Sequence, residues 1–134
     1  MQAEGGSVLA TVSRRTPAAS VQAMQATLAS LPGVFWRGAQ DGANPYPGLL
    51  AWADRIVCTA DSVNLLSEAA ATRVPLLVAG VERIEGRPRR FVEALLASGR
   101  ARRFPEDWGT DATVQPLRET ARVAALVRER LRVG

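Results

Sequence analysis

Residues 53–78, ADRIVCTADSVNLLSEAAATRVPLLV, decide the fold. The stretch opens on a short apolar run, Ile56-Val57-Cys58, and turns through Thr59-Ala60-Asp61-Ser62 into a segment of helical period. Pro75 ends that segment, and a second apolar run, Leu76-Leu77-Val78, follows. Strand, crossover helix, strand is the unit of parallel sheets, because parallel neighbours need a long connection. Ligands bind such sheets beyond the strand C-termini. The polar turn lies at that end, where free N–H groups and a partial positive charge at a helix start suit an anion or phosphate.

At about 100° per residue, Val63, Leu66 and Ala70 share one helix face, with Asp61, Asn64 and Glu68 near the opposite side. Glu68 follows Asp61 by seven residues, roughly 10 Å along the axis. A phosphate at the helix start and a ribose hydroxyl on a carboxylate further along need a separation of that order. The plainer alternative is that Asp61 or Ser62 caps the helix and Glu68 is a solvated acid. These residues alone leave both open.

The chain has 134 residues, enough for one domain of ordinary size, and we expect residues 1–134 to form a single one. Its apolar fraction of 47% is that of a protein with a core. No apolar run approaches the roughly 20 residues that span a bilayer, and no signal-peptide pattern opens the chain. Cytoplasmic residence is the resulting expectation. The chain has no histidine, which excludes Ser-His-Asp catalysis and the usual zinc sets. The single cysteine, Cys58, sits in an apolar run and reads as a buried small hydrophobe. All 17 basic side chains are arginine, whose fork binds oxyanions bidentately. They are dispersed, without a recognition helix or RNA-binding aromatic motif, so no specific nucleic-acid partner is expected. A basic surface facing anionic lipid or sugar phosphates fits better.

Ser7 to Val12 reads as the first strand, apolar enough for the centre of a parallel sheet. Ser13-Arg14-Arg15-Thr16 follows, ahead of Pro17, and offers a second anion cradle or, equally, a solvated turn with Thr16 as helix cap. Ala18, Val21, Met24, Leu28 and Leu31 recur at helical steps as a core-facing stripe, stopped by Pro32-Gly33. Val34-Phe35-Trp36 is a short second strand. The turn-rich loop from Gly38 to Gly48 carries Asn44-Pro45-Tyr46-Pro47, stiff enough to hold a ring against a flat ligand or simply to lead into a short helix, Leu49 to Ala53. Beyond the central unit, a helix is expected from about Pro88 to Ser98, ended by Gly99, with Arg87, Arg89 and Arg90 at its start. Ala101 to Phe104 reads as a short edge strand, Glu106 to Thr113 as a loop, and Leu117 to Arg132 as a final helix.

Strands alternate with helices, so the class is α/β with a parallel sheet. The expectation is a Rossmann-like three-layer sandwich of five strands in the order 2-1-3-4-5. Both polar turns, Ser13 to Thr16 and Thr59 to Ser62, would then border the switch point, where such sheets bind ligands. Neither a Gly-x-Gly-x-x-Gly motif nor a P-loop follows the first strand. Nucleotide recognition by helix dipole, arginine and a ribose-binding acid remains.

Several segments in order carry a family resemblance: Ser13-Arg14-Arg15-Thr16, Asn44-Pro45-Tyr46, Ala53-Asp54-Arg55-Ile56-Val57, Thr59-Ala60-Asp61-Ser62 and Ser67-Glu68-Ala69. Arg89-Arg90-Phe91 and Thr120-Ala121-Arg122-Val123-Ala124 extend it over nearly the whole chain. The sequence resembles the C-terminal half of the bacterial relatives of the plant mitochondrial-fission (elongated mitochondria) proteins. That family is in turn similar to GT-B glycosyltransferases, whose C-terminal domain binds the nucleotide-sugar donor. The resemblance implies that Glu68 holds the ribose, with Asp61 and Ser62 near the diphosphate or sugar and Ser13, Arg14, Arg15 and Thr16 on the phosphates. Thr59 and Asn64 complete that candidate set, and Asn44 and Tyr46 form a candidate ligand loop.

Two departures accompany it. Arg73-Val74 stands where the family usually has glycine and a basic residue, so the helix needs another way to end. The upstream half, which supplies acceptor and catalytic base in GT-B enzymes, is absent from the sequence. The implied ligand is a nucleoside diphosphate sugar and the implied partner an N-terminal acceptor domain, without which the chain is expected to be inactive. No cofactor is expected, and no metal, since arginines and a helix dipole can stabilise a leaving diphosphate. The alternative is a non-catalytic protein- or membrane-interaction domain, peripheral to the inner membrane. Self-association as a homodimer would cover the apolar surface left by an absent half.

Overall fold

A computed structural model describes residues 5–106 and, beyond them, Val114, Pro116, Ala125, Arg128 and Glu129. The expected loop from residue 107 and nearly all of the expected last helix lie outside the described residues. The chain divides between Leu49 and Leu50 into two compact units.

In the first unit, β1 (Val8–Thr11) leads through a turn to α1 (Ala18–Leu28) and back to β2 (Gly33–Trp36). The strands are parallel, Val8 opposite Gly33 and Thr11 opposite Trp36. The α1 stripe follows its period: Val21, Met24 and Leu28 are half-buried, although Ala18 is exposed. No residue of β1, α1 or β2 is fully buried, so the expectation of a strongly buried first strand is not met. A one-turn 3₁₀ segment, Ala39–Asp41, precedes α2 (Tyr46–Trp52).

The second unit holds the stretch 53–78 as read: β3 (Ile56–Thr59), α3 (Val63–Ala70) and β4 (Leu76–Ala79). A 3₁₀ turn, Val81–Arg83, leads to α4 (Gly86–Ala97) and β5 (Ala101–Arg103). All three strands are parallel, in the order β3-β4-β5, with Ile56 opposite Leu76 and Leu76 opposite Ala101. Leu76, Leu77 and Val78 are all buried, as a central strand covered on both faces requires. Leu66, Ala69 and Ala70 of α3 and Val92 and Leu95 of α4 supply the helical side of the core. Among the described residues every buried apolar side chain lies between Ile56 and Ala101.

The structure corrects the expected topology. The strands form a two-stranded sheet, β1-β2, and a three-stranded sheet, β3-β4-β5, not one sheet of five. The pairings expected within each set are present; β1 and β3 share no ladder. Helix α4 starts two residues before Pro88, which stands in its first turn, where proline's missing N–H leaves no bond unmade. Gly99 follows as expected, with φ 74° and its N–H on the Leu96 carbonyl at 3.1 Å. No helix among the described residues is long and apolar enough to cross a membrane.

Candidate functional site

The turn between β3 and α3 is set by backbone bonds. Ser62 N–H donates to the Thr59 carbonyl at 3.2 Å, and Ala60 N–H to the Ala79 carbonyl of the neighbouring strand at 2.9 Å. The Thr59 and Ser62 hydroxyls stand 3.4 Å apart. Ser62 occupies the cap position of α3, yet no side chain accepts a cap hydrogen bond there. The capping alternative for Asp61 or Ser62 is therefore not how this helix is built. Among the described residues its first-turn N–H groups have no side-chain cap, the arrangement that suits an anion. Asp61, Asn64 and Glu68 are exposed and Leu66 is buried, so the face assignment stands. Glu68 is not a free carboxylate.

In the first unit, the turn after β1 closes on itself. Ser13 N–H donates to Thr16 Oγ1 at 3.1 Å, Thr16 N–H to the Ser13 carbonyl at 3.0 Å, and Arg15 N–H to Ser13 Oγ at 3.2 Å. Both hydroxyls are thus engaged within the turn. Thr16 does not cap α1, whose cap position is Pro17 and carries no side-chain bond. Arg14 and Arg15 are exposed. They are the groups of this turn left available to a ligand.

The ligand loop at Asn44 and Tyr46 is in part a helix start. Asn44 Oδ1 accepts the Tyr46 N–H at 3.0 Å, and Leu49 N–H reaches the Pro45 carbonyl at 3.0 Å. These bonds begin α2 at Tyr46, three residues earlier than the prolines suggested. Pro47 fits because a first-turn N–H has no helical partner. Tyr46 is half-buried.

Two clusters escaped the sequence reading. Arg37 Nε and Nη2 donate to Asp41 Oδ2 and Oδ1, both at 2.8 Å, and Arg37 N–H adds a third bond to Oδ2 at 2.9 Å. These bonds from Arg37 hold the Asp41 carboxyl down at about 2. Trp36 Nε1 donates to the Gly42 carbonyl at 3.1 Å, closing the same loop. The spacing of Arg37 and Asp41 was the available signal, but four-residue pairing is expected on helices rather than in glycine-rich loops. The same unit has a cavity of about 310 Å³ between α1 and β2, walled by Leu28, Leu31 and Phe35 with Gln25 and Arg37 alongside.

The second cluster resolves how α3 ends without glycine. Arg100, 5% exposed, donates Nε to the Ala70 carbonyl at 2.7 Å and Nη2 to those of Ala69, Thr72 and Val74 at 2.8, 2.9 and 3.1 Å. Thr72 Oγ1 also donates to Ala69 at 2.7 Å and accepts the Val74 N–H at 3.1 Å. Burial pushes the Arg100 guanidinium below its ordinary range. Nη1 is buried and has no hydrogen-bond partner among the described residues. The sequence alone assigns Arg100 no role of its own, only a place in the basic run Arg100 to Arg103.

No solved structure matches the chain significantly. The "Mitochondrial fission protein ELM1" of Arabidopsis thaliana is 38% identical over 129 residues, 94% of this chain and 30% of that protein. The "Uncharacterized protein RP120" of Rickettsia prowazekii (strain Madrid E) is 32% identical over 97 residues, 70% of this chain and 27% of that protein. The chain thus spans less than a third of the length of either relative. The family model described as "Mitochondrial fission ELM1" matches residues 1–131. The chain belongs to the mitochondrial fission ELM1 family.

Proposed function

We propose that the chain is a non-catalytic interaction domain of its family, working by contact with a protein or a membrane surface. Family membership is the observation that carries this reading: the plant relative is named for mitochondrial fission and not for a reaction. The dispersed arginines suit an acidic or anionic partner surface. Co-sedimentation with anionic and neutral vesicles, alongside affinity capture of protein partners, tests it. A contact that persists in Glu68→Ala supports the reading. Loss of that contact together with nucleotide binding rejects the separation of the two roles.

One observation favours a second reading, donor binding as in a GT-B-like glycosyltransferase. The Ser62 side chain at the α3 N-terminus makes no cap hydrogen bond, which suits the diphosphate of a nucleoside diphosphate sugar. In this reading Thr59, Asp61, Ser62 and Asn64 surround the diphosphate and Glu68 takes the ribose. Arg14 and Arg15, in the first unit, are separate candidates for contact with a phosphate, and an acceptor domain comes from a part of the relatives' length outside this chain. Calorimetric titration with uridine, guanosine, cytidine and adenosine diphosphates decides it, with Glu68→Ala and Arg14→Ala as controls. Binding weakened by both substitutions supports donor recognition; a folded chain that binds none of the four rejects it.

A further inference from the structure

We propose that Arg100 is a positioning residue for α3, fixing the helix on the β3-β4-β5 sheet by its C-terminal end. The last carbonyls of a helix have no partner within it. In α3 the usual glycine terminator is missing, and Pro75 biases Val74 away from helical geometry, so the chain must leave the helix abruptly. One guanidinium gathers the chain leaving the helix: four carbonyls, of Ala69, Ala70, Thr72 and Val74, converge on Nε and Nη2 within 3.1 Å, that of Ala69 also accepting from Thr72. The alanines at 69–71 leave room for it. Only a planar fork reaches donors into several directions from one buried side chain.

The position of Arg100 in the chain gives the clamp its consequence. It directly precedes β5, whose Ala101 is buried opposite Leu76. The C-terminal turn of α3 and the residues after it are thus tied to one side chain, 26 to 31 positions away, just ahead of another strand. The turn that leads into α3 is tied to β4 by the Ala60 N–H on the Ala79 carbonyl. Held at both ends, α3 cannot slide along the sheet without breaking a buried bond. A cation at the helix C-terminus also offsets the negative end of the dipole, leaving the positive end at Val63 less compensated. The link to anion binding rests on the donor-binding reading; the clamp itself does not.

Amide exchange of the whole chain, free of ligand, tests the clamp in Arg100→Met and Arg100→Lys. In Arg100→Met, amides of residues 65–72 should exchange about 10- to 100-fold faster, the factor that one lost charge-assisted hydrogen bond represents. Amides of β4 should change less. Arg100→Lys should fall between, because one ammonium cannot span four carbonyls. Unchanged exchange in α3, or equal acceleration of α3 and β4, overturns the proposal, as does full rescue by lysine. Uridine diphosphate affinity in the same variants separates the two ideas. If the unaltered chain binds no diphosphate, donor binding fails while the exchange result still decides the clamp; if it binds, unchanged affinity in Arg100→Met with a loosened α3 overturns the positioning role.

Discussion

Gly33 faces the backbone of Val8 so closely that a Cβ built on it would lie 1.8 Å from the Val8 carbonyl oxygen. The two residues are register partners at the start of the β1-β2 ladder, and Val8 N–H donates to the Pro32 carbonyl at 2.8 Å. Gly33 also holds φ at 146°, a conformation other residues adopt only with strain. Gly33→Ala should therefore cost at least about 2 kcal/mol and open the β1-β2 pairing. The lowered urea midpoint should be accompanied by faster exchange at Leu9 to Thr11. Ala at Gly48, where a Cβ meets nothing within 4 Å, is the control and should leave β1-β2 intact.

The Arg37–Asp41 clasp gives the loop after β2 an acid limit. Its hydrogen bonds lower the Asp41 carboxyl from 3.8 to about 2 in the folded chain. A depressed carboxyl stabilises the fold fully above its unfolded value and loses that contribution as pH falls through the folded one. The window is thus pH 4 down to 2, and the pair's solvent exposure keeps the effect small. Thermal melts of the protein and of Asp41→Asn should differ at pH 5 and converge by pH 2. A difference that stays constant across that range would show that the clasp contributes through shape and not charge.

Cys58 is half-buried in β3, and burial pushes its thiol from 9.0 up to about 11. Since the thiolate is the reactive form, alkylation by iodoacetamide at pH 8 should run about 100-fold slower than for a free thiol. A raised thiol also favours the fold below pH 9.0 and loses that preference as pH rises through about 11. Cys58→Ala should therefore flatten part of the alkaline limb of a stability-pH curve. Alkylation at the free-thiol rate would show that β3 opens far more readily than its ladder with β4 implies.

Residues 53–78 were legible because each local signal agreed with the next: apolar runs of strand length, a helical period between them, and a proline at the return. The buried face of α3 followed from that period, and Leu66 and Ala70 lie where it put them. The five-stranded sheet was not legible, since hydrophobic pattern names strands but says nothing of which edges meet. Gly33 shows the limit at one residue: next to Pro32 it read as a helix stop, whereas its place is the first position of β2. Arg100 shows another limit. Nothing in Ser98-Gly99-Arg100 tells a solvated arginine from one that serves carbonyls some thirty residues back, because that distinction is made only when α3 and β5 come together. At the turn after β1, the use of the Ser13 and Thr16 hydroxyls within their own turn was not legible, because it depends on how the backbone closes there.

The distribution of burial makes the two units unequal in stability. Leu66, Leu76, Val78 and Val92 are all less than 2% exposed, and all belong to the second unit. In the first, Leu28 and Val21 are only half-buried, while Val34 is 52% exposed. Truncating a fully buried leucine removes its transfer free energy and leaves a cavity, so Leu66→Ala should cost about 3 to 5 kcal/mol. Leu28→Ala, with less apolar area to lose, should cost about 1 kcal/mol. Native-state amide exchange should show the same order without any substitution. Regions with little buried apolar contact open at lower free energy than core strands, so amides of β1, α1 and β2 should exchange well before those of β4. Equal protection in β1 and β4 would mean that the first unit draws stability from contacts outside the residues named here, and Leu28→Ala would then cost as much as Leu66→Ala.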